Sequence, residues 1–164
     1  MDGPMAASDR QRGFTYLGLL TLIAVLSVAT LATIDVGELA SRRQAEDGLL
    51  FIGHEFEQAL RSYMNNTPIG QRPYPASLED LLKDNRHPQL QRHLRRIYTD
   101  PLTGKAEWGI VQAPEGGILG IYSLAEGTPI KVANFPDEFA RFANKQSYRD
   151  WVFTAVAMAL PGKR

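Results

Sequence analysis

The sequence contains no cysteine, and this absence excludes several kinds of protein. A disulfide framework, a thiolate metal site and a cysteine nucleophile all require the missing thiol group. An excess of charge of either sign is also missing, because 18 Lys and Arg residues balance 18 Asp and Glu residues. A broadly basic nucleic-acid-binding protein is therefore not expected. The length of 164 residues suits one ordinary domain with a tail or anchor.

Charge is absent from one long segment near the N-terminus. Residues 14–34 form a run of 21 residues without a charged side chain, and 15 of them are hydrophobic. About 20 apolar residues in a helix cross the ~30 Å hydrocarbon layer of a bilayer, so the run predicts a transmembrane helix. Two alternatives fit less well: a buried soluble helix is usually shorter and has a polar face, and a cleavable signal has a shorter apolar region.

The flanks of the run predict its orientation. Arg10 and Arg12 come directly before it, and the positive-inside rule keeps such a segment in the cytoplasm. The residues after the run would then be exported, which in a Gram-negative cell means the periplasm. The sequence therefore predicts a single-pass protein of the inner membrane.

A helical pattern continues beyond the run, over residues 35–66. Apolar residues recur at spacings of four and three and form one stripe, consisting of Ala45, Leu49, Ile52, Phe56, Ala59 and Tyr63 and widened by Leu60 and Met64. The charged residues, including Glu46, Asp47 and Glu57, are expected on the other faces. Glycines at 48 and 53 are expected to weaken the helix, and Pro68 predicts that it ends near Asn66. The stripe is expected to pack against the remaining residues.

Residues 67–164 predict a small α+β head. Short helices are expected at 78–82, where Ser77 is a good N-cap, at 90–95 and at 137–143. Two strands, within 106–112 and 118–124, flank a glycine-containing connection and predict an antiparallel hairpin. Residues 148–156 predict a third strand, with a helix as the alternative.

The start of the apolar run resembles a known processing signal. Arg12 is followed by Gly13-Phe14-Thr15-Tyr16-Leu17 and then by the run, which is similar to the class III signal of type IV pilins and type II secretion pseudopilins. The segments 74–81 and 100–104 resemble those that follow the long helix in major-pseudopilin-like proteins. The resemblance covers residues 12 to about 110, and its N-terminal part is the more specific.

The resemblance implies a fold and a function. It implies that residues 1–13 are a cytoplasmic leader, that prepilin peptidase cuts between Gly13 and Phe14, and that the new N-terminus is methylated. The fold would be pilin-like, with a long N-terminal helix whose first half spans the membrane, packed on a small antiparallel head. The partners would be other pseudopilin subunits and an inner-membrane platform protein with its cytoplasmic ATPase. A single-pass, inner-membrane-anchored periplasmic binding or adaptor protein is the alternative.

The sequence departs from this family at two places. The family has a glutamate at the fifth mature position, which pairs with the terminal ammonium of a neighbouring subunit, whereas the fifth residue here is Gly18. A subunit at the filament tip and a divergent member both remain compatible with this glycine. Major pseudopilins also bind calcium through an acidic loop near the C-terminus, but residues 147–164 contain Asp150 as their only acid. We therefore expect neither a metal site nor a cofactor.

No residue pattern predicts catalysis, and an enzyme is not expected. The three histidines, His54, His87 and His93, lack the spacing of metal ligands. One charged feature remains, the basic cluster of Arg92, His93, Arg95 and Arg96. It could be a solvated face, a contact with another subunit through Arg92, Arg95 and Arg96, or a nucleic-acid site, although the lack of interleaved aromatic residues argues against nucleic acid.

Overall fold

The structure, a computed structural model, describes the backbone of residues 11–156 and the side chains of residues 15–26 and 37–156. The chain divides into two compact units, Met1–Ser41 and Arg42–Arg164. The units are described separately below.

One α-helix, α1 (Gln11–Asn65), includes both the apolar run and the amphipathic segment. Its end agrees with the prediction, because it stops one residue before Asn66. The side chains of Asn66 and Thr67 donate hydrogen bonds to the backbone carbonyls of Ser62 and Tyr63, at 2.8 and 3.1 Å. These bonds satisfy carbonyl groups that the end of a helix would otherwise leave without partners.

In the first unit, every described side chain from residue 15 to residue 26 is exposed. Tyr16 is 66% exposed, and Leu17 and Val25 are 63% and 61% exposed. Among the residues with described side chains, no helix has an apolar stretch long enough to cross a membrane. The predicted span also contains residues 27–34, whose side chains lie outside the described set.

The second unit contains a three-stranded antiparallel sheet with the order β1-β2-β3. The strands are β1 (Gly109–Gln112), β2 (Ile118–Tyr122) and β3 (Phe153–Thr154). The predicted hairpin is confirmed by the pairing of β1 with β2, and the predicted third strand is confirmed by β3, which pairs with β2 at two positions. The α+β class is therefore confirmed, with one long helix and a small antiparallel sheet.

One edge of this sheet, formed by β1, is irregular. β1 lies at the edge of the sheet within the described residues, and its register with β2 shifts between Val111 and Gln112. Such a shift is typical of a β-bulge, which bends a strand and interrupts its ladder of hydrogen bonds. β1 therefore presents only four residues of uneven backbone at its outer side.

Short 3₁₀ helices connect these elements. They span Leu78–Leu81, Asp137–Phe142 and Tyr148–Asp150. The first two confirm the positions of two predicted helices, in a tighter form. The third occupies the start of residues 148–156, for which a strand is predicted with a helix as the alternative. Only the later residues of this segment are left for β3, which is therefore short.

The helix predicted at residues 90–95 is wrong. Gln91 forms an isolated antiparallel bridge with Asp84. The backbone N–H groups of His93 and Leu94 both donate to the carbonyl of Leu81, at 2.9 Å. Backbone bonds to a distant segment thus take the place of helical bonds, and the buried side chain of Leu94 is pulled into the core.

The core lies between α1 and the head and is rich in aromatic rings. The ring planes of Phe142 and Trp151 stack with centroids 5.6 Å apart, and Phe153 meets Phe142 edge-on at 5.2 Å. Such pairs add specific geometry to the burial of apolar area. Phe56, at the centre of the helical stripe, is fully buried and meets Trp108 at 5.2 Å.

Gly53 is a site of close packing and not a weak point of the helix. A Cβ atom built at Gly53 would overlap the ring of Phe153, so the absence of a side chain lets β3 approach the helix backbone. Gly48 has a similar but looser role, because its Cβ would lie 3.4 Å from Pro101. Glycine is a poor helix former, but at position 53 the Phe153 ring packs into the space that a side chain would otherwise occupy.

We expect Gly53→Ala to destabilise the protein, although alanine is the better helix former by about 1 kcal/mol. The added methyl would displace the Phe153 ring, and overpacking of this kind typically costs about 1–3 kcal/mol. Denaturant unfolding of the full chain in detergent, followed by tryptophan fluorescence, measures the effect. Gly37→Ala is the matched control, because nothing lies within 4 Å of its Cβ position. Equal stability of the two variants would contradict the packing role of Gly53.

Candidate functional site

The predicted processing and assembly positions lie on α1. Gly13 and Phe14 are within the helix, but their side chains are outside the described set, as are residues 1–10 of the predicted leader and residues 157–164 of the predicted head. Gly18 is exposed, and a Cβ built there would meet nothing within 4 Å. The predicted fifth mature residue is therefore a glycine with open space around its Cβ position.

The predicted packing stripe is the buried face of α1. Leu49, Phe56, Ala59 and Tyr63 are buried, while Ala45 and Ile52 are half-buried. This face joins a hydrophobic cluster that includes the sheet residue Ile121. The structure therefore brings together the stripe and the head as the pattern predicted.

The buried face of α1 is wider than predicted and contains two carboxylates. Glu46 and Glu57, which were expected on the faces away from the apolar stripe, are only 1% and 6% exposed, so they belong to the buried face and this expectation is wrong. The positions 46, 50, 53, 57 and 60 repeat the same spacing of four and three as the stripe. Leu50, Gly53 and Leu60 within this second row were the signal that could have revealed it.

Glu46 holds the segment before the Asp137–Phe142 helix. Its carboxylate accepts the backbone N–H groups of Ile130 and Lys131, at 2.6 and 2.9 Å, and the hydroxyl of Tyr148 at 2.6 Å. Burial and then the hydrogen bond to Glu46 raise the pKa of Tyr148 to about 12. The hydroxyl thus remains a donor, and one carboxylate fastens two segments to the helix.

Glu57 holds β3. It accepts the backbone N–H of Thr154 at 3.1 Å and forms an ion pair with Arg141. Burial raises the pKa of Glu57, while the Arg141 guanidinium and the Thr154 N–H oppose that rise. Glu57 therefore joins α1 to the third strand and to the Asp137–Phe142 3₁₀ helix.

A third buried carboxylate, Asp84, organises the end of α1. Its side chain is fully buried and receives two side-chain hydrogen bonds from Arg86, at 2.9 and 2.8 Å. Arg86 also donates to the Tyr63 carbonyl at 2.8 Å and places its guanidinium 3.4 Å from the centre of the Tyr63 ring. The hydrogen bonds from Arg86 hold the pKa of Asp84 well below its ordinary value.

His93 joins this cluster and does not belong to the basic surface in which it was expected. Its side chain is 1% exposed, with Nε2 3.2 Å from Asp84 and Nδ1 2.8 Å from the Ser62 hydroxyl. Because the ionised Asp84 can only accept, Nε2 donates to it, and Nδ1 of a neutral imidazole then accepts from the Ser62 hydroxyl. A hydroxyl, an imidazole and a carboxylate thus form a chain of hydrogen bonds that ties the last turn of α1 to the head.

The remaining members of the basic cluster stay at the surface. Arg92, Arg95 and Arg96 are exposed, and none forms an ion pair with an acid among the described residues. The guanidinium of Arg96 lies over the Tyr98 ring at 5.1 Å. The three arginines therefore project from a segment that is fixed beneath them by His93 and Leu94.

The described residues contain no group of three or more His, Asp or Glu side chains arranged to hold a metal ion. An open groove of about 400 Å³ runs beside α1 and is lined by Arg43, Asp47, Lys131 and Asn134. Glu46 reaches its wall, but three donors already occupy that carboxylate. The acids that the fold buries therefore serve as structural acceptors.

We expect Glu46→Ala to destabilise the protein by about 3 kcal/mol, because two backbone donors and a hydroxyl would lose their acceptor. Asp47→Ala provides the matched control. Asp47 is the neighbouring acid, its side chain is 68% exposed, and it pairs only with Lys131. Its loss should change the free energy of unfolding by less than about 0.5 kcal/mol. Similar unfolding midpoints for both variants in guanidinium would contradict the role assigned to Glu46.

We expect Asp84 to make the protein sensitive to acid. Because folding lowers its pKa, Asp84 contributes stability above its ordinary value of 3.8 and loses that contribution as the pH falls toward the lowered value. Asp84→Asn should be less stable at pH 7, by about 3 kcal/mol, and should show a flatter fall between pH 5 and pH 2. Unfolding curves measured across this pH range test the expectation.

Arg86→Met supplies the complementary variant for that experiment. It leaves the buried carboxylate without its cation, so protonation of Asp84 should restore part of the lost stability on acidification. Stability curves for both variants that run parallel to that of the natural chain would rule out Asp84 as the source of the acid response.

Comparisons with protein-family models, with curated proteins and with solved structures found no match.

Proposed function

We propose that this chain is a pilin-like subunit, a pseudopilin, of a type II secretion or type IV pilus-type system. It enters the inner membrane as a single-pass protein with a cytoplasmic N-terminus and a periplasmic head. Prepilin peptidase then removes residues 1–13, and the mature chain assembles with other pseudopilin subunits into a periplasmic filament. An inner-membrane platform protein and its cytoplasmic ATPase drive this assembly.

The observation that carries the proposal is that the early part of α1 exposes its apolar side chains whereas the later part buries them. The described residues 15–26 are uncharged and expose apolar side chains, such as Leu19 at 54% and Leu22 at 55%. The later part of the same helix buries its apolar face against the head. An apolar surface of this kind is unfavourable in water, so it needs a cover of lipid or of other helices. Lipid would cover this surface while the subunit is stored in the bilayer, and the helices of other subunits would cover it in a filament.

The processing motif supports the proposal independently. Gly13-Phe14 comes immediately before the exposed apolar residues, and Arg12 immediately before Gly13. A leader of charged and polar residues attached at Phe14 would have to be buried with the helix in a filament, which is costly. Removal of the leader before assembly is the expected solution.

The attachment of the head to α1 also suits an extruded subunit. A force that acts on the helix reaches the head through Glu46 and Glu57, which bond α1 to separate segments. It also reaches the head through Arg86 and His93, the partners of Asp84, which bond the last turn of α1. Buried charge-assisted hydrogen bonds are strong and directional. Residues 42–65 of α1 and the head are therefore suited to move together during extrusion.

The alternative is a single-pass, inner-membrane-anchored periplasmic binding or adaptor protein. The apolar segment and the exposed arginines Arg92, Arg95 and Arg96 would serve that function equally well. The two functions differ in their processing, because an adaptor keeps its N-terminal segment whereas a pseudopilin loses it.

We expect the mature chain to begin at Phe14 and to carry one methyl group on its amino nitrogen. Intact-mass measurement of the full chain from cells with prepilin peptidase tests this expectation, with cells that lack the peptidase as the control. Residues 1–13 should be absent in the first preparation and present in the second. An intact Met1 in both preparations, or a cut near Ala32, would refute the pseudopilin function.

A further inference from the structure

A segment of the head carries positive charge and no acid, and the acids that flank it are buried. Residues 85–99 contain four arginines and two histidines but neither Asp nor Glu, although the whole chain has equal numbers of acidic and basic residues. Asp84 precedes this segment and is 2% exposed, and Asp100 follows it and is 0% exposed. Both carboxylates are occupied, Asp84 by Arg86 and Asp100 by the hydroxyl of Ser123 at 2.6 Å. Neither acid is therefore available to neutralise a cation at the surface.

Three of these arginines form an exposed group, which we call the arginine patch: Arg92, Arg95 and Arg96. Within the described residues, none of the three forms an ion pair, whereas Arg86 and Arg141 are paired with buried acids. Guanidinium groups that lie close together without a counter-charge create a positive potential at the surface, which attracts an anion. The patch is therefore an uncompensated charge on a protein that is neutral as a whole.

The backbone beneath the arginine patch is fixed. His93 and Leu94, which lie between the exposed arginines, are buried, and their N–H groups both donate to the Leu81 carbonyl at 2.9 Å. Arg96 is further placed by the Tyr98 ring, over which its guanidinium lies at 5.1 Å. A partner would not have to order this segment in order to bind it, so little of the binding free energy is lost.

The surroundings of the patch favour an acidic protein segment over nucleic acid or lipid. Leu90, two residues before Arg92, is 63% exposed, and an apolar side chain beside arginines is typical of a protein contact. The Tyr98 ring offers no free platform for a nucleic-acid base, because Arg96 lies over it and Phe56 meets it edge-on at 6.2 Å. Three arginines are also fewer than the 4–8 basic residues of typical lipid-binding clusters.

We propose that the arginine patch binds an acidic segment of a partner protein, whose Asp or Glu carboxylates pair with the three guanidinium groups. The planar fork of arginine matches the two oxygens of a carboxylate. The inference rests on the proposed function, because it takes the partner from the same assembly. It gives the expected contact through Arg92, Arg95 and Arg96 a stated chemistry.

Binding of a poly-L-glutamate peptide to the full-length protein in detergent, at low ionic strength, tests this inference. The triple variant Arg92→Gln/Arg95→Gln/Arg96→Gln should bind the peptide about tenfold more weakly than the natural chain, since three exposed charge pairs are lost. The matched control removes the same charge at three other exposed positions, with the substitutions Lys105→Gln, Lys145→Gln and Arg149→Gln. This control should bind the peptide as the natural chain does.

Two results would overturn the inference. The first is equal weakening in both triple variants, which would mean that the peptide responds to net charge and not to the patch. The second is tighter binding of the natural chain to a single-stranded oligonucleotide, or to phosphatidylglycerol vesicles, than to poly-L-glutamate of equal charge. All six substituted side chains are exposed, so both variants should unfold at the midpoint of the natural chain, and a loss of binding then reports the patch.

The mass of the mature chain separates this inference from the proposed function. Chains that lose residues 1–13 but show no preference for the patch would overturn the acidic contact and leave the pseudopilin function standing. Chains that keep residues 1–13 and still bind poly-L-glutamate through the patch would overturn the pseudopilin function alone.

Discussion

Carboxylates placed on the buried side of α1 hold the head to the helix, and much of the remaining structure depends on them. The sheet is small, with a β3 of two residues, and the connecting segments are 3₁₀ turns or irregular chain. Such segments leave backbone N–H groups that need acceptors when buried. Glu46 and Glu57 provide these acceptors from a rigid helix. With no cysteine in the chain, no disulfide can take over this task.

The buried acids respond to their surroundings in opposite directions. Burial raises the pKa of Glu57, so its contribution to stability is greatest below its ordinary value and is lost as the pH rises through the raised one. The hydrogen bonds of Arg86 lower the pKa of Asp84. Its contribution to stability is therefore greatest above its ordinary value and is lost as the pH falls through the lowered one. Desolvation dominates at Glu57, whereas the two-pronged geometry of arginine dominates at Asp84. Neighbouring parts of one fold therefore favour different pH ranges.

Periodicity explains which features the sequence predicted. The spacing of four and three located α1 and its stripe, and the glycine-containing connection located the β1–β2 hairpin. Charge alone does not locate Glu46 and Glu57, because they share a buried row with Leu50 and Leu60 in which each carboxylate has donors from the head. The Asp84 cluster was beyond reach, since its members come from separate segments that only the tertiary fold brings together. The pseudopilin function itself stays a prediction, because it depends on residues whose processing the geometry does not test.

The bulged, four-residue edge of the sheet bears on how such a protein can be concentrated. A filament or a membrane patch would hold many identical heads close together, and a straight, open strand would invite each sheet to extend into the next. The register shift at Val111 and Gln112 interrupts the row of backbone groups that such extension requires. The proposed assembly of copies would therefore have to rely on contacts other than pairing of this backbone edge.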